Sequence, residues 1–258
     1  MRWRLLATPR LDGAENMAFD EALLRRAGVT NEAVFRVYGW SQPTLSLGRN
    51  QPARGAYDEE AIAVQGIGVV RRLTGGRAVL HHREVTYSVT APEALGDTLH
   101  DGYARINAIL LEGLRALGVP AALATPAGRA PIPSTAPCFE QPTEGELVLD
   151  GRKLVGSAQL REDGAVLQHG SILVDDDQPL VAALLRAPFD APPAERPATL
   201  HGALGRIPSL AEVAGVLFDA VRTHEDSDAV ELMIDPALRS AIDGAAARYR
   251  DTDWTWRR

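Results

Sequence analysis

Two side chains stand alone in this sequence. Cys138 is its single cysteine, and Lys153 is the single lysine among 27 basic residues, the other 26 being arginine. A thiolate is a strong nucleophile whose acyl thioester stays energy-rich, which suits a cysteine to acyl exchange with thioesters. A lysine amine can be tuned to release its proton, whereas a guanidinium keeps its charge at any useful pH. Lys153 is therefore either a compositional remnant or a position that needs what arginine lacks. Cys138 also has two readings, because an isolated cysteine is commonly a small, inert buried hydrophobe. Against that, it follows Pro137 at the end of a segment, Thr125 to Pro137, that carries four prolines among Ala, Thr, Ser and Gly. Such a segment cannot supply a regular hydrogen-bond ladder, and a loop this long is more often functional or disordered than a plain connection.

Other candidates are weaker. Arg71-Arg72-Leu73-Thr74-Gly75-Gly76-Arg77 sets exposed amides and guanidinium groups where they could hold a phosphate or carboxylate, or it is an ordinary hairpin turn. His81 and His82 are adjacent, so on a strand they face opposite ways, and no second pair of ligands sits at metal spacing. No metal site is expected. Asp175, Asp176 and Asp177 lack the spaced ligands of a calcium loop and read as a solvated turn. Trp254 and Trp256 read as packing residues. A serine hydrolase would need a Gly-x-Ser-x-Gly elbow, which is absent, and a papain-like pairing of Cys138 with His169 or His201 has no support from the local cysteine signature.

Elements to position these groups follow from periodicity. Apolar residues recur at helical spacing from Gly13 to Gly28 and from Tyr103 to Leu117, the second stripe stopping at Gly118 and Pro120. Val34 to Tyr38, Gly68 to Arg72 and Ala78 to Leu80 read as strands. Val85, Tyr87 and Val89 alternate with Glu84, Thr86 and Ser88, the period of a strand with one buried face. Asp150-Gly151 and Asp163-Gly164 mark hairpins, since both residue types accept positive φ. Helical patterns return at Leu180 to Leu185, Ser209 to Val221 and Pro236 to Arg250.

Strands fill the middle and helices the ends, without the alternation of a doubly wound fold. The expected class is α+β, with mixed, largely antiparallel β-sheets flanked by helices and a C-terminal helical region. The proline-rich stretch from Ala187 to Pro197 is the best internal boundary, dividing a main domain, 1–186, from a C-terminal linker and helical region, 187–258, packed on it.

Composition bounds the rest. A chain of 258 residues with 45% apolar content can bury a substantial core. No apolar run suits a signal peptide or a membrane span, and one cysteine forms no internal disulfide, so a cytoplasmic protein without membrane association is expected. A net charge of -7 argues against nucleic-acid binding.

Taken in order, several segments resemble the lipoate and octanoate transfer branch of the biotin/lipoate protein ligase superfamily, most closely the LipM-type octanoyltransferases. They are Asn16-Met17-Ala18-Phe19-Asp20-Glu21, Pro43 to Gly48 with Gln51, Arg71 to His81, Thr86-Tyr87-Ser88, Pro137-Cys138-Phe139, Gly151 to Gln159, and His169-Gly170-Ser171. The resemblance implies a biotin/lipoate-ligase-like catalytic domain in which Cys138 is the nucleophile and Lys153 the shared active-site lysine. It further implies that Arg72, Thr74, Gly75, Gly76, Arg77, His81, Gly156, Ser157, Ala158, His169 and Gly170 bind substrate.

The implied reaction moves an octanoyl group from octanoyl-acyl carrier protein, through a Cys138 thioester, to a lipoyl-domain lysine. Acceptors of this kind are the glycine-cleavage H protein and the acyltransferase subunits of 2-oxoacid dehydrogenases. No cofactor is implied. Arg77 and His82-Arg83-Glu84-Val85 depart from the pattern of ATP-dependent ligases, placing ATP use in doubt. Alternatives within the branch are an amidotransferase between lipoyl-bearing proteins and an ATP-dependent lipoate ligase; outside it stands a silent lipoyl-domain-binding subunit.

Overall fold

The structure is a computed structural model and describes residues 1–124, 145–187 and 196–257. In chain order, the first half holds β1 (Arg2–Ala7), α1 (Gly13–Val29), β2 (Glu32–Tyr38), β3 (Thr44–Leu47), α2 (Glu59–Val64), β4 (Gly68–Arg71), β5 (Val79–His81), β6 (Glu84–Pro92) and α3 (Leu99–Ala116). The second half holds β7 (Ala122–Leu123), β8 (Leu147–Leu149), β9 (Arg152–Lys153), β10 (Val155–Glu162), β11 (Ala165–Leu173) and α4 (Pro179–Ala183). After these come α5 (Leu200–Leu204), α6 (Leu210–His224), β12 (Val230–Glu231), α7 (Pro236–Arg250) and α8 (Thr252–Thr255).

Six strands form the central sheet in the order β10-β11-β6-β2-β1-β12. The run from β10 to β2 is antiparallel, and β1 pairs in parallel with both β2 and β12. A small sheet, β4-β3-β5, is mixed, and β7-β8-β9 is antiparallel. The expected α+β class with mixed, largely antiparallel sheets is the architecture observed.

Local chemistry explains the boundaries. Asp12 caps α1 and forms a reciprocal capping box with Glu15, satisfying amides that have no partner inside the helix. Asp235 caps α7 ahead of Pro236, whose missing N–H costs nothing in the first turn. The two Asp-Gly hairpins turn as read, with Asp150 and Asp163 both at φ 51°.

The central sheet is covered on both sides. One face buries Phe35, Val37, Val85, Tyr87 and Ile172 against Ile106, Leu110 and Leu114 of α3 and Leu217 of α6. The other buries Leu6, Val34, Tyr38 and Leu167 against α1 and against Leu238 and Ile242 of α7. A third cluster holds the small sheet to α2 and α4 through Leu45, Leu47, Leu80, Ile62 and Val181. Residues beyond 196 supply β12 to the central sheet as well as α6 and α7.

One reading of the alternation in β6 needs correction. Glu84, Thr86 and Ser88 are buried like Val85, Tyr87 and Val89, so the strand has two buried faces. The polar face is covered by α1 and the small sheet, and its groups find partners there instead of water.

Candidate active site

The site begins on α1. Asn16 and Asp20 lie one turn apart on its buried side, opposite β2, β6 and β11. Asp20 accepts hydrogen bonds from Arg36 Nη1 (3.0 Å), Ser88 Oγ (2.8 Å), Tyr38 Oη (3.1 Å) and His169 Nδ1 (2.9 Å). Arg36, itself fully buried, also donates to Asn16 Oδ1 (2.7 Å) and lies over the Tyr38 ring at 3.8 Å. Burial opposes the Asp20 charge, but the His169 hydrogen bond, the Arg36 charge and the Ser88 hydroxyl together hold its carboxyl below the usual range. Burial pushes the His169 imidazole down despite the neighbouring carboxylate, which favours the neutral ring.

Because ionised Asp20 only accepts, Nδ1 of His169 carries the proton and Nε2 is left as an acceptor. Thr74 Oγ1, 2.7 Å from Nε2, therefore donates to it, and in turn accepts from Arg72 Nε at 3.2 Å. Arg72 spends its other donors on Ser46 O and Oγ, Gly75 O and Arg77 O. It braces the glycine loop. Arg71 does the same for the preceding loop, donating to Gly48 O, Gln51 O and Thr255 O. Most donors of these two guanidinium groups are engaged by protein carbonyls and hydroxyls, so both arginines hold loops in place. Loop and strand also approach closely: a Cβ at Gly48 would meet Gly76 O at 2.0 Å, and Gly76 itself has φ 95°.

A second histidine stands across the cavity. His81 Nε2 lies 2.8 Å from Ser46 Oγ, and its ring stacks on Trp40 with centroids 4.1 Å apart. Its Nδ1 is 3.6 Å from Glu84 Oε1. Glu84 accepts from Thr86 Oγ1 at 2.8 Å and from Ser171 Oγ. His82, by contrast, is exposed, as expected for alternate faces, and pairs with Asp177. That aspartate is buried, and it also accepts from the Arg83 amide, so the acidic run is not simply a solvated turn.

Between these groups lies a narrow cavity of about 50 Å³. Of the residues expected to bind substrate, Arg72, Gly76, His81, Gly156, Ser157, Ala158, His169 and Gly170 line it. Thr74 sits behind its wall through the bond to His169, while Gly75 and Arg77 belong to the braced loop. Met17, Tyr38, Trp40 and Val79 add the apolar lining. Gly76 is exposed and Ser157 and Ala158 are half-buried, which marks the mouth; Met17, Tyr38 and Trp40 are buried and mark the inner end.

Lys153 is 3% exposed and donates to Glu146 Oε1 at 2.8 Å across the β8–β9 hairpin. It stands three residues before Gly156, so their Cα atoms are within about 11 Å of each other. Cys138 lies outside the described residues. Asp20, Arg36, Glu84, Tyr87 and Glu146 carry much of the network and were not singled out from sequence as site residues. The available signals were Asn16 and Asp20 at i, i+4 on a sheet-covering helix, and the polar alternation of β6.

With the geometry in hand, the comparisons with known proteins are specific. Residues 12–222 match the lipoyl protein ligase A/B catalytic domain. The chain belongs to that family. Within reach of the family, octanoyltransferase LipM of Kyrpidia tusciae is 39% identical over 274 residues, covering 99% of both chains. LipM of Symbiobacterium thermophilum is 44% identical and covers 81% of each. Among solved structures, lipoate-protein ligase A bound with ATP superimposes with TM-score 0.81 at 23% identity, covering 99% of both chains. A lipoate protein ligase of Thermoplasma acidophilum, from a bi-partite system studied with its E2 lipoyl domain, gives 0.78 at 23% identity over 99% of this chain and 96% of that one. At such identities the structures speak for the fold.

Proposed function

We propose that this chain is an octanoyltransferase of lipoate biosynthesis that moves an octanoyl group from acyl carrier protein to a lipoyl-domain lysine through a thioester on Cys138. The observation that carries the reading is similarity over essentially the full length to octanoyltransferases LipM. The cavity supports it: an apolar inner end suits an acyl tail, and a polar rim at Gly156 to Ala158 leads within three residues to Lys153.

In the first step the Cys138 thiolate attacks the donor thioester carbonyl. A bond forms from Sγ to the acyl carbon, the bond to the carrier sulfur breaks, and the carrier leaves as a thiol after taking up a proton. In the second, the acceptor lysine amine forms the amide bond, Sγ departs, and the amine's proton returns to the thiolate. Both steps run on the energy of a thioester, so ATP has no part. Lys153 serves this chemistry as a cation near the reacting carbonyl or as a group that handles the amine's proton. The reaction belongs in the cytoplasm, and the glycine-cleavage H protein and the 2-oxoacid dehydrogenase acyltransferase subunits are the acceptor class.

The test is incubation with octanoyl-acyl carrier protein without ATP, followed by intact-mass and peptide analysis. A single octanoyl adduct on Cys138 is expected, with no adduct and no transfer by Cys138→Ala. Lys153→Arg, which keeps charge and removes the titratable amine, should lose on the order of a hundredfold or more in transfer rate. Full transfer by Cys138→Ala without an adduct overturns the covalent route, and normal turnover of Lys153→Arg overturns the role of its amine.

A further inference from the structure

Residues 254–257 lie outside the cavity lining yet hold the loops that shape it. Arg71, at the end of β4, is fully buried and gathers carbonyls from two distant stretches of chain. Its Nε donates to Thr255 O at 2.8 Å, and its Nη1 donates to Gly48 O at 2.6 Å and to Gln51 O at 2.8 Å. The contact is reciprocal, because Trp254 Nε1 donates back to Arg71 O at 3.0 Å. Arg257 Nη2 donates to Arg49 O at 2.9 Å, and Arg54 Nε donates to Trp256 O at 3.1 Å. Each residue from Trp254 to Arg257 is thus hydrogen-bonded to the loop from Gly48 to Arg54 or to the end of β4.

The segment is itself well anchored. Asp251 caps α8 by accepting from the Asp253 amide, and the amides of Thr255 and Trp256 close back onto Asp251 O and Thr252 O. The Trp254 indole stands edge-on to Tyr249 at 6.3 Å, and the Arg257 guanidinium lies over its face at 3.7 Å. Trp256 packs against the apolar cluster that holds the small sheet. These contacts set the height at which the segment meets Arg71 and Arg49.

What they hold is the cavity wall. Arg49 N donates to Thr74 O at 2.8 Å, and Arg72 N to Leu47 O at 3.0 Å, so the loop after β3 and the glycine loop after β4 are joined through backbone. Gly48 lies against the glycine turn so closely that a Cβ there would stand 2.0 Å from Gly76 O. Ser46, Arg72 and Gly76 line the cavity, and Thr74 stands behind it on His169. A displacement of the loop at Gly48 and Arg49 therefore moves the wall, although neither residue reaches the cavity.

We propose that Trp254 and Arg257 are positioning residues for octanoyl transfer, holding the loop at Gly48 and Arg49, and with it the turn at Gly75 and Gly76, so that the cavity is formed before the acyl group arrives. A wall that is open part of the time lowers apparent affinity by the fraction of molecules still closed. Once substrate fills the cavity the closed wall is selected, and turnover at saturation is unchanged. The inference rests on the octanoyl-transfer reading above for its effect on kinetics; its effect on loop order stands on the hydrogen bonds alone.

The experiment pairs amide hydrogen exchange on the full chain with steady-state transfer from octanoyl-acyl carrier protein to a lipoyl domain. Trp254→Phe keeps a ring against Tyr249 and removes the indole donor, and should speed exchange of the Arg49 and Arg72 amides about fivefold. Arg257→Ala removes an exposed donor and should speed it about twofold. The double variant should reach about tenfold, with amides of β6 and β11 within about twofold of the parent. Its KM for the octanoyl donor should rise about threefold to tenfold, with kcat within about twofold. Unchanged loop exchange in the double variant overturns the proposal, as does an unchanged KM or a loss confined to kcat. If β6 and β11 also exchange faster in the double variant, Arg257→Ala decides, and loop exchange equal to the parent's in that variant overturns the proposal. A parent chain that transfers no octanoyl group overturns the functional reading and this role in transfer together, whereas an active parent whose double variant keeps its KM overturns this inference alone.

Discussion

The two faces of the central sheet carry polar networks that end differently. On the α1 face, Asp20 is met by Arg36, Ser88, Tyr38 and His169, and both ring nitrogens of His169 are engaged. On the α3 face, the chain from Gly145 through Asn107, Gln168 and Tyr87 arrives at a hydroxyl with a proton to spare. A network satisfied throughout fixes a shape, since any rearrangement would strand a buried charge or dipole. A network whose last hydroxyl proton has no partner among the described residues is held less firmly at that end. The first frames the cavity, and the second ties the sheet to α3 on the other face.

The sharpest way to break this contrast is Asp20→Asn. It keeps the side-chain shape but leaves Arg36 buried without its counter-charge, and should cost about 3–5 kcal/mol in denaturant unfolding, lowering Tm by roughly 6–20 °C. Ser157→Ala, at the half-buried end of the other network, should stay within about 0.5 kcal/mol of the parent. Comparable destabilisation of both variants would erase the distinction between the two networks.

Gly170→Ala probes the boundary between the two faces. The added methyl meets the Gly156 carbonyl and the Tyr87 ring, and overpacking of this kind costs about 1–3 kcal/mol. A variant as stable as the parent would show that the sheet yields at this row.

The smallest effect is that of pH on stability. Asp20 and His169 are both held below their ordinary values in the folded protein, so the unfolded chain binds protons more readily at each. Their contributions are complete above the unfolded values and are lost as pH falls. Tm should therefore be level from pH 8 to 7 and decline below about pH 6.5 as unfolded His169 charges, by up to about 1.4 kcal/mol per unit from that one site. A further decline should begin near pH 4, from Asp20. Substitution of His169 by Gln should flatten the first decline; if the decline persists unchanged, another group is responsible.

Much of the fold was legible locally. The expected helix Pro236–Arg250 matches α7 at both ends, because proline in the first turn and an aspartate cap act within a few residues. Both Asp-Gly hairpins turn where they were read, since positive φ is a property of the turn residues themselves. The site was legible in part. Its glycine loop and the Gly156 to Ala158 segment were expected from resemblance, and the cavity brings most of those residues together. Asp20 and Glu84 were not identified, because their meaning depends on distant partners: Asp20 meets Ser88 and His169 at separations of 68 and 149 residues. Glu84, Thr86 and Ser88 looked like a solvent face because alternation reports a change of polarity, and cannot say whether water or another layer of protein covers the polar side.

By itself, the sequence determined the elements, the turns and the singular character of Cys138 and Lys153, all of which follow from residue type and short-range spacing. Tertiary structure decided which polar groups meet. Register across three strands placed a glycine between Tyr87 and Ser157, and packing of α1 on the same sheet gave Asp20 its histidine and its arginine. Hydrogen bonds act over about 3 Å, so residues far apart in the chain acquire these roles only when the fold has closed that distance.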